Sequence, residues 1–255
     1  MSIFRTVEIP CPSCQTAVSF ELVHSVNAGR RADLRQAILD RTFQKQPCPS
    51  CGFAFRVEPE FTYMDMGRGQ FFAVWPSEKV GQWAEQEKRS QKAFETAFGK
   101  SAPPEAQAIG RKLRPRAVFG WAGLNEKLVA ADAGIDDYQL EMAKMAVIRT
   151  SDELPGNAEL RLLGAEPDKL VLGWIRTGTE ELTQVVNVPR AVLSEINADG
   201  EAWKSVRADL MSGPFVDYRR FSIESGAEAA NGAKPAAKEK APAKKTAPKA
   251  AKKKR

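Results

Sequence analysis

The four cysteines of this chain fall in two matched turns, Cys11-Pro12-Ser13-Cys14 and Cys48-Pro49-Ser50-Cys51-Gly52. Each Cys-x-x-Cys turn aims two sulfurs at one point, and two such turns close a tetrahedron around one metal ion. Whatever fold the chain adopts must bring together two turns that 33 residues separate. Proline after each first cysteine fixes the backbone so that the following amides turn towards the sulfurs. Gly52 permits a tight approach after the second pair, where the first has Gln15.

Four thiolates fill a tetrahedral shell and leave no position for water or substrate, the pattern of a structural rather than a catalytic site. With one histidine in the chain, a histidine-based catalytic zinc has too few ligands. Two disulfides are the other use of four cysteines. The N-terminus, however, has no basic segment followed by an apolar stretch, so a cytoplasmic chain with reduced thiols is expected. A thioredoxin-like role uses one Cys-x-x-Cys in a βαβ setting, which two matched turns do not resemble. Iron suits a soft S₄ tetrahedron as zinc does; one structural Zn²⁺ held by Cys11, Cys14, Cys48 and Cys51 is the expectation.

Hydrophobic patterning divides the chain into four stretches and predicts an α+β class. Residues 1–76 read as a small zinc-ribbon-like β module with an inserted helix. Strand-like runs at 5–9 and 17–26 flank the first turn, and Val18, Phe20, Leu22 and His24 share one face by period two. Asp33 with Gln36 predicts a capped helix to about Phe43. Runs at 53–57, 61–66 and 70–75 follow, the last two joined by Gly67-Arg68-Gly69 as a hairpin turn. Residues 77–100 predict a helical connector capped by Ser77, with a boundary at Gly99 to Pro104. Residues 101–225 read as an α+β domain, with helices at 117–131, 136–148, 189–196 and around Trp203 to Leu210. Its strands are expected at 159–163, 170–175 and 183–188. No apolar run nears the roughly 20 residues of a membrane helix, so no membrane partner is expected.

The doubled Cys-Pro-x-Cys turns near the N-terminus, with a helix-sized insert between them, resemble the CpXC domain family. The likeness runs through Val26-Asn27, Leu34 to Leu39, the second turn and Tyr63-Met64-Asp65, covering about Ile3 to Pro76. The segment from Val118 to Lys144 resembles an extension found in longer members. The resemblance implies a bacterial or archaeal protein with a cysteine-ligated metal, and it implies no activity.

Charge is segregated. The total is +6, yet residues 226–255 hold nine Lys and Arg255 against Glu228 and Glu239, a net of +8 that leaves −2 for the rest. This segment is built from Ala, Lys, Pro, Glu, Gly, Asn, Thr and Arg, cannot offset chain entropy by burial, and is predicted to be disordered. In composition it resembles a linker-histone tail. The partner this predicts is DNA or RNA, met by Lys244, Lys245, Lys249, Lys252, Lys253, Lys254 and Arg255. The alternative is a protein partner docked by the C-terminal domain, the tail being an incidental solubilising appendage.

Smaller clusters receive plainer readings. His24 reads as an ordinary hydrogen-bonded histidine, and Asp136-Asp137 and Glu180-Glu181 as capping and solvent-facing acids. Arg30, Arg31, Arg35, Arg41 and Lys45, and the linker group Arg111, Lys112, Arg114 and Arg116, read as mixed-charge faces before phosphate contacts. Phe53, Phe55 and Tyr63 read as core before stacking platforms. No phosphate loop, nucleophile elbow or HExxH pattern is present, so a non-enzymatic protein is expected.

Overall fold

A computed structural model describes residues 1–151 and 155–223. The tail with its expected disorder and linker-histone-like composition lies outside the described residues. Residues 1–220 form one compact unit of mixed α+β class.

The unit is built on a five-stranded sheet. Strands β1 (Ile3–Pro10) and β2 (Ala17–Asn27) form an antiparallel hairpin, and β5 (Phe61–Asp65) and β6 (Gln70–Trp75) form another. The two hairpins join through a short parallel pairing of Ser25 to Asn27 with Thr62 to Met64. Parallel neighbours need a crossover, and here it carries helix α1 (Ala32–Leu39) and the small hairpin of β3 (Lys45–Pro47) and β4 (Ala54–Arg56). In the β5–β6 turn the Asp65 carboxylate accepts the Arg68 amide, as Gly67-Arg68-Gly69 predicted.

Strand β2 departs from the simple alternation expected. Val18 and Phe20 are buried on one face, but Leu22 is only half-buried, His24 is exposed, and Val23 and Val26 are buried instead. The strand serves two cores. Val18 and Phe20 face the cysteine turns with Val7 and Ile9, whereas Val23 and Val26 face the main core with Phe4, Tyr63, Phe72 and Trp121. The expected capping box is also absent: α1 starts two residues earlier, with Arg31 at its N-cap, Asp33 pairs with Arg31, and Gln36 donates to Asp40.

The boundary expected near residue 100 does not divide the fold. After a 3₁₀ turn at Ser77–Gln82 come α2 (Trp83–Phe98) and α3 (Pro104–Gly110), then β7 (Arg114–Phe119), which pairs in parallel with β6. Strand β7 read as a basic linker because of Arg114-Pro115-Arg116. Proline is tolerated there because β7 is the sheet's edge. Helix α3 starts with Pro104 in its first turn and ends at Gly110, whose missing side chain lets Phe98 approach. Helix α2 covers one face of the sheet through Phe94 and Phe98 on Phe71, and through the Trp75 indole donating to Ser90. Helices α1 and α4 (Gly120–Asp132) cover the other. Covered on both faces, β6 is buried at every residue.

Helix α5 (Asp137–Thr150) and α4 pack on a second sheet of order β10-β9-β8, made of β8 (Ala158–Ala165), β9 (Lys169–Arg176) and β10 (Leu182–Pro189). Helices α6 (Val192–Ala198) and α7 (Lys204–Met211) follow.

Between these elements lies a set of buried charges that the sequence did not announce. Lys144 bonds Glu126 at 2.9 Å and Glu141 at 2.8 Å; Arg161 bonds Glu126 at 2.7 Å, Asp217 at 2.9 Å and Glu159 at 2.8 Å. Arg219 joins Asp217 and Glu159, Lys127 donates to the Val216 carbonyl and faces Glu141 and Asp137, and Arg116 grips Asp137. Five cations meet five anions, so the cluster is neutral. Burial opposes charge on Glu126, Glu159, Asp137 and Asp217, yet the adjoining cations hold all four carboxyls below their ordinary range. Glu141 moves the other way, because burial with help from Glu126 and Asp217 outweighs Lys144 and Lys127.

Removing one partner of a buried pair strands the other, which costs about 3–5 kcal/mol. Glu126→Gln is therefore expected to lower urea-unfolding stability by that order, while exposed Glu195→Gln changes it by about 0.5 kcal/mol or less. The four depressed carboxyls contribute stability that is present above the ordinary carboxylate range, about pH 4, and lost as pH falls through their folded values. Glu141 acts with the opposite sign but is one against four. The urea midpoint is expected to fall between pH 6 and 3, and to fall less steeply in Asp217→Asn.

Candidate metal centre

The two cysteine turns share one backbone design. In the first, which joins β1 to β2, the Cys11 amide donates to the Thr16 carbonyl and the Gln15 amide to the Cys11 carbonyl, both at 2.9 Å. In the second, which joins β3 to β4, Cys48 bonds Phe53 and Gly52 bonds Cys48 in the same way at the same distance. The residue after each second cysteine is left-handed, Gln15 at φ 61° and Gly52 at φ 74°. Gln15 thus takes the conformation that glycine takes more cheaply in the other turn.

Packing brings the turns together. Val18, Phe20 and Phe55 bury Cys11 and Cys48, with the Phe20 and Phe55 rings 5.1 Å apart. Gln44 and Gln46 donate to the Glu21 and Ser19 carbonyls of β2 and lock the small hairpin against it. Cys11 Sγ then lies 3.7 Å from Cys51 Sγ, and Cys14 Sγ 3.7 Å from Cys48 Sγ. All four sulfurs lie within 4.8 Å of one another. A tetrahedron with bonds of about 2.3 Å sets its sulfurs about 3.8 Å apart, so the donor set fits one ion. Cys11, Cys14, Cys48 and Cys51 would hold it, and it would supply a cross-link with no vacant position.

The sulfurs' charge balance points the same way. Bonds from the Thr16 hydroxyl and amide pull Cys14 down to about 6. The Phe53 amide also favours a Cys51 thiolate, but Cys14, burial, Cys11 and Cys48 together push Cys51 up to about 11. Four crowded thiols cannot all ionise without a cation among them.

Other predicted residues are dispersed. His24 is exposed on β2. Arg31 and Arg35 pair with Asp33 and Asp132, and Arg114 and Arg116 with Asp136 and Asp137. Asp137, expected to face solvent, is instead enclosed by Arg116 and Lys127. Glu180 pairs with Arg56 at 3.0 Å. Phe55 and Tyr63 are buried and offer no stacking face, whereas Phe53 is half-exposed beside the second turn. The stretch from Phe215 to Arg220 is spent on the buried charge cluster and on a Trp83–Phe215 stack. Lys244, Lys245, Lys249, Lys252, Lys253, Lys254 and Arg255 lie outside the described residues. Among those described, no helix is long and apolar enough to cross a membrane.

Fold and site together define a mixed α+β protein organised around a four-cysteine cluster with metal-binding geometry. The CpXC protein family matches residues 9–144, more than half of the chain, and the chain belongs to that family. The match takes in the likeness read up to Pro76 and the extension read from Val118 to Lys144, and adds the stretch between them that carries α2, α3 and most of β7. No curated protein and no solved structure matches the chain.

Cys48→Ser removes a buried ligand. It is expected to abolish stoichiometric metal and to lower the melting midpoint by roughly 5–10 °C, the shift that about 2–3 kcal/mol gives at this chain length. Metal per chain by atomic emission and a thermal melt check this, with exposed Ser13→Ala as the unchanged control.

Proposed function

We propose that this is a non-enzymatic cytoplasmic protein in which one structural Zn²⁺ staples a rigid scaffold, and that residues 226–255 associate the scaffold with DNA or RNA. The sulfur spacing carries the zinc reading: four thiolate donors at tetrahedral separation favour a soft ion and leave it no substrate position. Iron is distinguished by its visible absorption and by the metal analysis already described.

Charge segregation supports the nucleic-acid reading. The described body spends many of its arginines on internal carboxylates, Arg31, Arg35, Arg56, Arg114, Arg116, Arg161 and Arg219 among them. The net +8 of the last 30 residues is the chain's main surplus of cations. A protein-docking reading is favoured by one observation of its own: β10 is an open sheet edge that exposes Leu182 and Val185.

A salt titration separates the two. Binding of duplex DNA and of RNA, followed by fluorescence anisotropy, is expected to weaken with salt. On duplex DNA the slope of log affinity against log salt should be about −4.5 if half of the tail's ten cations meet phosphates. Changing Lys244, Lys245, Lys249, Lys252, Lys253, Lys254 and Arg255 to Gln should remove binding at about 150 mM salt. Unchanged affinity would rule out the tail as the contact. A protein partner retained after nuclease treatment and tail deletion would support the alternative.

A further inference from the structure

Of the four strands that end the two larger sheets, three are protected against further pairing. Strand β1 exposes Arg5 and Glu8 and closes on Pro10. Strand β7 carries Pro115, and its Ala117 amide donates to the Pro214 carbonyl. On β8 the Leu160 amide donates to the Tyr218 hydroxyl and the Leu162 amide to the Glu126 carboxylate. Charge, proline and covering groups are the usual means of blunting a sheet edge. Strand β10 has none of them: no charged residue and no proline lies between Leu182 and Val188, and among the described residues no strand lies beyond it.

Register decides which backbone groups this edge offers. In an antiparallel sheet, residues along a strand turn their amide and carbonyl alternately to one neighbour and to the other. Leu160 and Leu162 turn theirs away from β9, so their partners Trp174 and Leu172 turn towards β10. Gln184 and Val186, opposite Trp174 and Leu172, therefore face β9. The Arg190 amide, donating to the Asp168 carbonyl, keeps the same phase. The amides and carbonyls of Val185 and Asn187 are left pointing outwards, and both residues are exposed.

We propose that β10 pairs with β10 of a second copy of this chain, antiparallel about a two-fold axis at Val186, so that two three-stranded sheets become one. Val185 of each copy then exchanges both backbone bonds with Asn187 of the other, and Val186 packs on its own counterpart. The same axis sets the ladder irregularity between Leu182 and Gln184 opposite Pro189, which has no amide to give. Both ends of the paired stretch thus close where the strand itself stops being regular. Self-pairing brings like residues together at its centre, which an uncharged strand allows. At the rims it brings Glu181 beside Arg190 of the second copy. Arg190 bonds the carbonyls of Glu166 and Ala133 and has no carboxylate partner among the described residues. Pairing also covers Leu182 and Val185, which are 44% and 48% exposed. The open edge is the observation that favours a protein partner; its register fits a copy of itself, and the inference rests on neither the metal nor the tail.

Sedimentation velocity on the nuclease-treated full chain tests this. One strand pair is a small interface, so a dissociation constant of roughly 10–100 μM is expected. Between about 1 and 500 μM the protein should pass from monomer to dimer and form nothing larger, because a two-fold contact closes on itself. Val185→Pro removes an outward amide and no bond to β9, and Val185→Lys puts like charges on the edge; each should weaken the dimer at least about tenfold. Val185→Lys keeps the strand and decides the matter if Val185→Pro unfolds. Amide exchange followed by NMR should slow at Val185 and Asn187 as concentration rises. A monomer throughout overturns the proposal. So does a dimer that Val185→Lys leaves intact, and so does slowed exchange confined to other strands.

Discussion

The meeting of two hairpins at four sulfurs is the constraint on which the N-terminal half depends. The β3–β4 hairpin belongs to no larger sheet. It is held to β2 by two glutamine side chains, one aromatic pair and the cysteine cluster. Without a cation the sulfurs would crowd one another, and with one they become the tightest link in the region. From that hairpin the chain continues into the core. Arg56 lies 4.4 Å over the Trp121 ring, Trp121 donates to the Val57 carbonyl, and Glu58 accepts from the Ser77 amide and hydroxyl. The cysteine turns thus fix where α4 begins.

A different device joins the sheet and α4 to the second half of the molecule. Apolar packing alone would allow α4, α5 and β8 to slide against each other. The buried Glu126, Glu141, Lys144 and Arg161 allow one arrangement, since any other leaves a charge unpaired in a dry interior. The net contribution of such pairs to stability is small, because desolvation offsets attraction; their effect is to make wrong packings costly. Tyr218 takes part twice, its hydroxyl accepting the Leu160 amide and its own amide donating to Glu141.

The sequence was most legible where a local signal was strong. The cysteine turns, the Gly67-Arg68-Gly69 hairpin, the Glu159 to Ile175 hairpin and the helix after Asp136 all follow from short-range chemistry. Strand β7 was hidden because Pro115 and two arginines argue against a strand unless its edge position is known. Face assignment failed in β2 because the strand packs on two cores, a fact of tertiary structure that no period records. The charged core was hidden for a related reason. Glu126-Lys127 and Glu141 with Lys144 look like any solvated helix surface, and only the partners Arg161 and Asp217, distant in sequence, turn them inward.

The topology has a consequence for the order of assembly. The β5–β6 hairpin is local, but its parallel neighbours β2 and β7 reach it only through crossovers at 28–60 and 76–113. Until both arrive, a nascent chain carries an aromatic-rich hairpin with two bare edges, the kind of surface on which chains misassociate. An ion caught early by the cysteine turns would close most of the first crossover into a loop and shorten that interval. Capture of metal during synthesis would then protect the growing chain before it contributes to the finished one.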